Sequence, residues 1–162
     1  MTTTEALTLT VSLPEYVEFA NFWVHGIPKP QGSKKAWANP KTGRAHVTES
    51  AGMPLKEWRY DVKMTAAECM AESGLPLIPR ERGVVVWIDF VLPRPLSTPK
   101  TKTPPAIKKP DVDKLERAVL DALSNTVYTD DSQVVGLLGF KRIAERGEQT
   151  GARISVYVKE QA

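Results

Sequence analysis

The stretch KKPDVDKLERAVLDAL, residues 108–123, decides how this chain is read. Two aspartates, Asp111 and Asp113, follow two lysines and a proline, and an amphipathic run begins at once. Leu115, Ala118, Val119, Ala122 and Leu123 share one helical face, centred about 200° from Asp113 at roughly 100° per residue. Arg117 then lies at about 40° and Asp121 at about 80°, on the face turned away. Pro110 fixes an extended approach, so a helix is expected from near Asp113, with Asp111 just outside it. In the plain structural reading, Asp113 and Glu116 form an acidic capping box. Asp113–Arg117 and Arg117–Asp121 are then ordinary i, i+4 ion pairs.

Before this helix, GVVVWIDFVL (83–92) is almost continuously apolar and β-branched, which predicts a central strand covered on both faces. Between the two lies PRPLSTPKTKTPPAIKKP (93–110), with six prolines and no carboxylate. Proline at that density continues neither helix nor sheet, so an extended, mobile loop is expected. After the helix, VVGLLGFKR (134–142) and ARISVYVK (152–159) read as strands. Towards the N-terminus, FANFWVHGIP (19–28) reads as a strand, and LTLTVSL (7–13) alternates with period two like a half-buried one. Residues 28–46 read as a basic, acid-free loop. Pro54 to Glu72 reads as a helix burying Leu55, Trp58, Val62, Ala66 and Cys69, stopped by Gly74 and Pro76. The order β, β, α, β, α, β, β implies an α+β (α/β-like) fold with a mixed sheet and two main helices.

A chain of 162 residues suits one domain with a real core. Residues 1–17 read as an extension with a possible extra strand, and 18–162 as the domain proper. The single cysteine, Cys69, excludes an internal disulfide or a cysteine-based zinc cluster. No apolar run approaches ~18 residues, so no membrane span is expected. The opening MTTTEALTLT lacks the basic and apolar regions of a signal peptide.

Chemistry concentrates in carboxylates. Besides Asp111 and Asp113, YTDDSQ sets Asp130 and Asp131 just before a strand. A polar turn is the bland account. Three or four converging carboxylates would instead require a divalent cation, and Mg²⁺ suits all-oxygen ligands. His25 and His46 are isolated. Asp89, inside an apolar strand, must face a partner, water or a metal. The two acid-free basic loops and the stripe Lys56, Arg59, Lys63 favour a phosphate backbone as partner.

KPDVDKLERAVLDAL followed by DDSQVV resembles the signature of the RusA family of Holliday-junction resolvases, and VHGIPKPQGS resembles that family's first strand and Gly-x-Pro turn. The likeness covers about residues 20–160. It implies a homodimeric, Mg²⁺-dependent endodeoxyribonuclease (Mn²⁺ substituting) that nicks opposed strands of a four-way DNA junction. It implies a cytoplasmic setting in a bacterial or phage-infected cell.

By motif position, Asp111 and Asp113 match the family's first two catalytic aspartates. Asp131 matches the third, with Asp130 its competitor as metal ligand. Arg117 stands where the family has a catalytic lysine, and Lys114 where it has an asparagine. Lys34, Lys35, Lys100, Lys102, Lys108, Lys109, Lys114 and Lys141 are the candidate DNA-binding cations. Competing readings are a DNA-binding module whose aspartates only cap, and a flap or branch nuclease of broader specificity. An aspartate-nucleophile phosphatase is disfavoured, because AIKKP is no buried strand.

Overall fold

The computed structural model describes residues 13–32, 34–49 and 52–161. Most of the strand expected over 7–13 lies outside these residues. Alternation builds the main sheet. In β1 (Tyr16–His25), β4 (Val84–Leu92) and β6 (Gly151–Lys159), every second side chain is apolar and points to one face. Ala20, Phe22, Val24, Val84, Val86, Ile88, Phe90, Ala152, Ile154 and Val156 are buried there. With β5 (Val134–Ile143) the order is β1-β6-β4-β5. β4 runs antiparallel to β6 and parallel to β5. One extra residue in β5, Val135, interrupts that register.

Both helices cover this same face. α1 (Gly52–Glu72) buries Leu55, Trp58, Val62, Ala66 and Met70. Met70 replaces the expected Cys69, which is only half-buried. α2 (Val112–Leu123) buries Leu115, Ala118, Val119, Ala122 and Leu123, the five residues of the apolar stripe. Each fully buried leucine or valine contributes about 1.5–3 kcal/mol of apolar transfer, so this stripe alone fixes which way α2 faces.

Three expectations change. Residues 28–46 are not all loop: β2 (Lys34–Ala38) and β3 (Ala45–Glu49) form a separate antiparallel pair. Residues 93–110 form no helix or strand, as expected, yet they are tied back rather than extended. The Arg94 guanidinium donates to Thr103 Oγ1 at 2.7 Å and to the Pro99 and Lys102 carbonyls at 2.6 and 2.9 Å. β4 is central, but among the described residues no helix covers its second face. Val85 and Val91 are buried there while Trp87 and Asp89 stay half-exposed.

Chain direction decides where the carboxylates fall. β4 and β5 are parallel and α2 links them, so α2 runs back against both. Its N-terminus sits at their C-terminal ends.

Candidate active site

At the N-terminal end of α2, Asp111 is the N-cap residue, with extended φ −73° and ψ 140°. The cap therefore falls two residues earlier than the expected Asp113, and the expected Asp113–Glu116 capping box does not form. Pro110 permits this earlier start, since proline restrains its own φ and the residue before it but not the residues after it. The Asp111 side chain makes no capping hydrogen bond. Its carboxylate lies 3.4 Å from the Lys114 ammonium instead. Asp113 is exposed in the first turn, where the helix dipole favours its charge. Glu116, one turn on, has its carboxyl held above the usual range, first by burial and then by Asp113.

Two contacts fix this end to the rest of the fold. The Lys141 ammonium, from β5, donates to the carbonyls of Lys108 and Pro110, both at 2.8 Å. The Gln31 N–H, in the loop after β1, donates to the Lys114 carbonyl at 2.9 Å. Lys141 thus holds the backbone that presents Asp111. Among the proposed DNA contacts, its ammonium is the one already engaged with two backbone carbonyls. Lys100, Lys102, Lys108 and Lys109 are exposed and Lys114 half-exposed. Lys34 and Lys35 are placed by backbone only, on β2.

Arg117 is exposed on the outer face of α2, as its helical angle predicts. Neither expected ion pair forms among the described residues. Asp121 instead meets Arg59 of α1 at 3.8 Å, a tertiary partner that helical spacing could not reveal.

Asp130 and Asp131 lie at the opposite end of α2, before β5. A short 3₁₀ turn, Asp131–Gln133, begins there with a capping box. Asp130 Oδ1 accepts from the Ser132 N–H at 2.9 Å, and Gln133 Oε1 accepts from the Asp130 N–H at 2.9 Å. These Ser132 hydrogen bonds hold the Asp130 carboxyl below the usual range. Asp131 is held above it, first by partial burial, then by the adjoining Asp130 and by Asp121. An open hollow of about 360 Å³ lies between Arg59, Asp121, Asn125, Thr129, Asp130 and Asp131. Asp121 is the residue of this end that the sequence offered only as an ion-pair partner of Arg117.

The aspartates thus form two groups, not one. The 12 residues of α2 separate them, about 18 Å at 1.5 Å per residue. Among the described residues, no three His, Cys, Asp or Glu side chains converge closely enough to hold a metal ion. Asp89 belongs to neither group. It faces the side of the sheet away from α1 and α2 and accepts from Trp87 Nε1 at 3.0 Å.

A mixed four-stranded sheet with carboxylates at both ends of one crossing helix, and lysines about its start, defines a small single-domain α+β protein. The family model described as endodeoxyribonuclease RusA matches residues 26–159, and the chain belongs to that family. It is also similar to the uncharacterized protein YqaN of Bacillus subtilis (strain 168). They are 30% identical over 146 residues, spanning 86% of this chain and 94% of the relative. Among the described residues, no helix is long and apolar enough to cross a membrane.

Proposed function

We propose that this protein is a Mg²⁺-dependent endodeoxyribonuclease that resolves four-way DNA junctions as a homodimer in the cytoplasm. One observation carries the reading: in a chain of an endodeoxyribonuclease family, the motif aspartates stand at the two ends of one helix. Among the described residues, a single copy brings no complete ligand set together. A second copy, related by a two-fold axis across α2, places the Asp111 and Asp113 of one chain beside Asp131 of the other. A two-fold dimer has two such centres, matching the two symmetry-related strands of a junction.

The donors suit the ion, being carboxylate oxygens without sulfur or imidazole. Asp111 and Asp113 from one copy, with Asp131 and Asp130 from the other, would hold Mg²⁺, and Mn²⁺ would substitute. Bound there, the ion would supply an activated water and offset charge on the departing 3′ oxygen. The chain's own residues do the rest. Arg117 projects from the exposed face of α2, where its guanidinium offsets charge on the scissile phosphate. Its planar fork can grip two phosphate oxygens, where a lysine would offer a point charge. Lys108, Lys109 and Lys114 hold the flanking backbone without reading sequence.

Mixed dimers test this. Asp113→Asn and Asp131→Asn chains, carrying different tags, are co-expressed and the mixed dimer isolated. Shared centres leave one of the two intact. The mixed dimer should then nick a synthetic junction with Mg²⁺ and bind Mn²⁺ in titration calorimetry, while both parent variants do neither. A mixed dimer as inert as its parents would refute the shared centre. A wild type that leaves junctions uncut under varied Mg²⁺ and Mn²⁺ would refute the nuclease reading.

A further inference from the structure

We propose that Lys56, Arg59 and Lys63 of α1 form a second phosphate-binding surface, which grips the backbone of a duplex arm where it leaves the hollow beside Asp131. This rests on the nuclease reading above and deepens it by naming a surface that carries the arm.

The sequence of α1 sorts its charges by side. At about 100° per residue, with Met53 set at zero, Lys56, Arg59 and Lys63 fall between about 240° and 300°. Glu57, Asp61, Glu68 and Glu72 fall between about 40° and 80°. The buried stripe of Leu55, Trp58, Val62, Ala66 and Met70 centres near about 200°. One flank of the helix therefore carries its cations and the other its acids. The structure shows which way the cationic flank looks. Arg59 reaches Asp121 of α2 at 3.8 Å, so this flank borders α2, on whose outer face Arg117 stands exposed. With a net charge of only +3, the chain gains a phosphate-attracting field by sorting its charges rather than by excess.

Arg59 links this flank to the site. Among the residues lining the hollow of about 360 Å³ with Asp130 and Asp131, it is the one cation. The hold on it is weak. At 3.8 Å, with the two side chains 32% and 26% exposed, its pair with Asp121 is a long contact between hydrated groups. A phosphate offers the guanidinium two parallel hydrogen bonds instead. Asp121 thus parks Arg59 beside Asp131 and releases it to a phosphate at small cost. Lys56 and Lys63 lie one turn to either side of Arg59, both exposed. From 56 to 63 the ridge covers about 10.5 Å of helix axis, the length of about three phosphates along one strand of duplex.

The test is the affinity of the full chain for a synthetic four-way junction, by fluorescence anisotropy without divalent metal, between about 50 and 200 mM salt. Each phosphate contact adds about 0.9 to the slope of log affinity against log salt. Losing one contact per chain of a two-fold dimer, Arg59→Gln should lower that slope by about 1.8. Lys56→Gln with Lys63→Gln should lower it by about twice as much, while Arg59→Lys keeps the wild-type slope. Asp121→Asn separates this role from a mere clip between α1 and α2. It breaks the same ion pair yet frees Arg59, so the slope should hold and affinity should rise about two- to fivefold. Slopes unmoved in both glutamine variants, or Asp121→Asn weakening binding as much as Arg59→Gln, would overturn the inference. The double lysine variant changes only exposed side chains, so it decides the matter even where Arg59→Gln fails to fold. None of these readings needs cleavage. The expected slopes beside a wild type that cuts nothing with Mg²⁺ would keep the surface and sink the nuclease reading. Cleavage with unmoved slopes would do the reverse.

Discussion

Gly139 lies in the middle of β5, and its missing side chain is where Glu116 rests. A Cβ built there overlaps Glu116 Oε1 outright and stands 2.7 Å from its Cδ and 2.9 Å from its Cγ. The clash reaches back to the methylene, so rotating the carboxylate alone does not relieve it. Gly139 is not among the glycines with positive φ, so alanine suits its backbone. Without Glu116, Gly139→Ala should therefore stabilise by about 0.5–1 kcal/mol, from the reduced freedom of the unfolded chain. With Glu116 present, overpacking costs about 1–3 kcal/mol, and the net change should be a loss of about 1–2.

The double-mutant cycle with Glu116→Ala gives the sign. Urea unfolding at one fixed protein concentration and neutral pH should show Gly139→Ala destabilising in the parent and neutral or stabilising in Glu116→Ala. The coupling should be about 2 kcal/mol. Equal effects in both backgrounds would mean that Glu116 does not rest on Gly139, and the packing of α2 on β5 would need redrawing. There is a functional consequence as well. Glu116 stands one turn from Asp113, and burial holds its carboxyl above the usual range. Pushed out of its seat, it joins Asp113 in solvent as a second nearby negative charge.

Three other perturbations probe separate links. Lys141→Met removes both 2.8 Å bonds to the Lys108 and Pro110 carbonyls, so Mn²⁺ affinity by calorimetry should fall about tenfold with a smaller effect on melting temperature. Gln133→Ala strips partners from the Pro79 and Arg82 carbonyls and the Asp130 N–H. It should cost about 1–2 kcal/mol in urea unfolding, since the Arg82 carbonyl and the Asp130 N–H lose their side-chain partner while the Pro79 carbonyl keeps the Arg82 N–H. The Glu148 carboxyl, held at about 2 by its hydrogen bonds to the Arg142 guanidinium, is depressed on folding. Any stability it lends is full above the ordinary glutamate range and is lost as pH falls through about 2. Carbon-detected NMR should show that low midpoint in the wild type and a return towards 4.5 in Arg142→Ala.

Legibility in the sequence tracks the reach of each signal. The buried stripe of α2 is legible residue for residue, because a period of 3.6 is set within a few turns of one helix. The strand over 83–92 is equally plain, being apolar and β-branched throughout. The β2–β3 pair is hidden, because its strands sit among lysine, glycine and proline and stand apart from the main sheet. Spacing assigns Asp121 to Arg117, whereas its partner, Arg59, comes from α1. Arg94 gives no local sign that it gathers residues 99–103 around itself.

The separation of the aspartates is hidden for a different reason. Asp113 and Asp131 are close in sequence, which invites a shared site. Yet a helix joining two parallel strands must return along them, so what precedes the helix and what precedes the next strand lie at opposite ends. Once β4 and β5 are known to be parallel, the split comes from topology alone. β5 then ties the pieces together. Asp131 stands immediately before it, Lys141 reaches from its far end to the backbone presenting Asp111, and Gly139 between them seats Glu116. Displacing this strand would disturb both carboxylate groups at once.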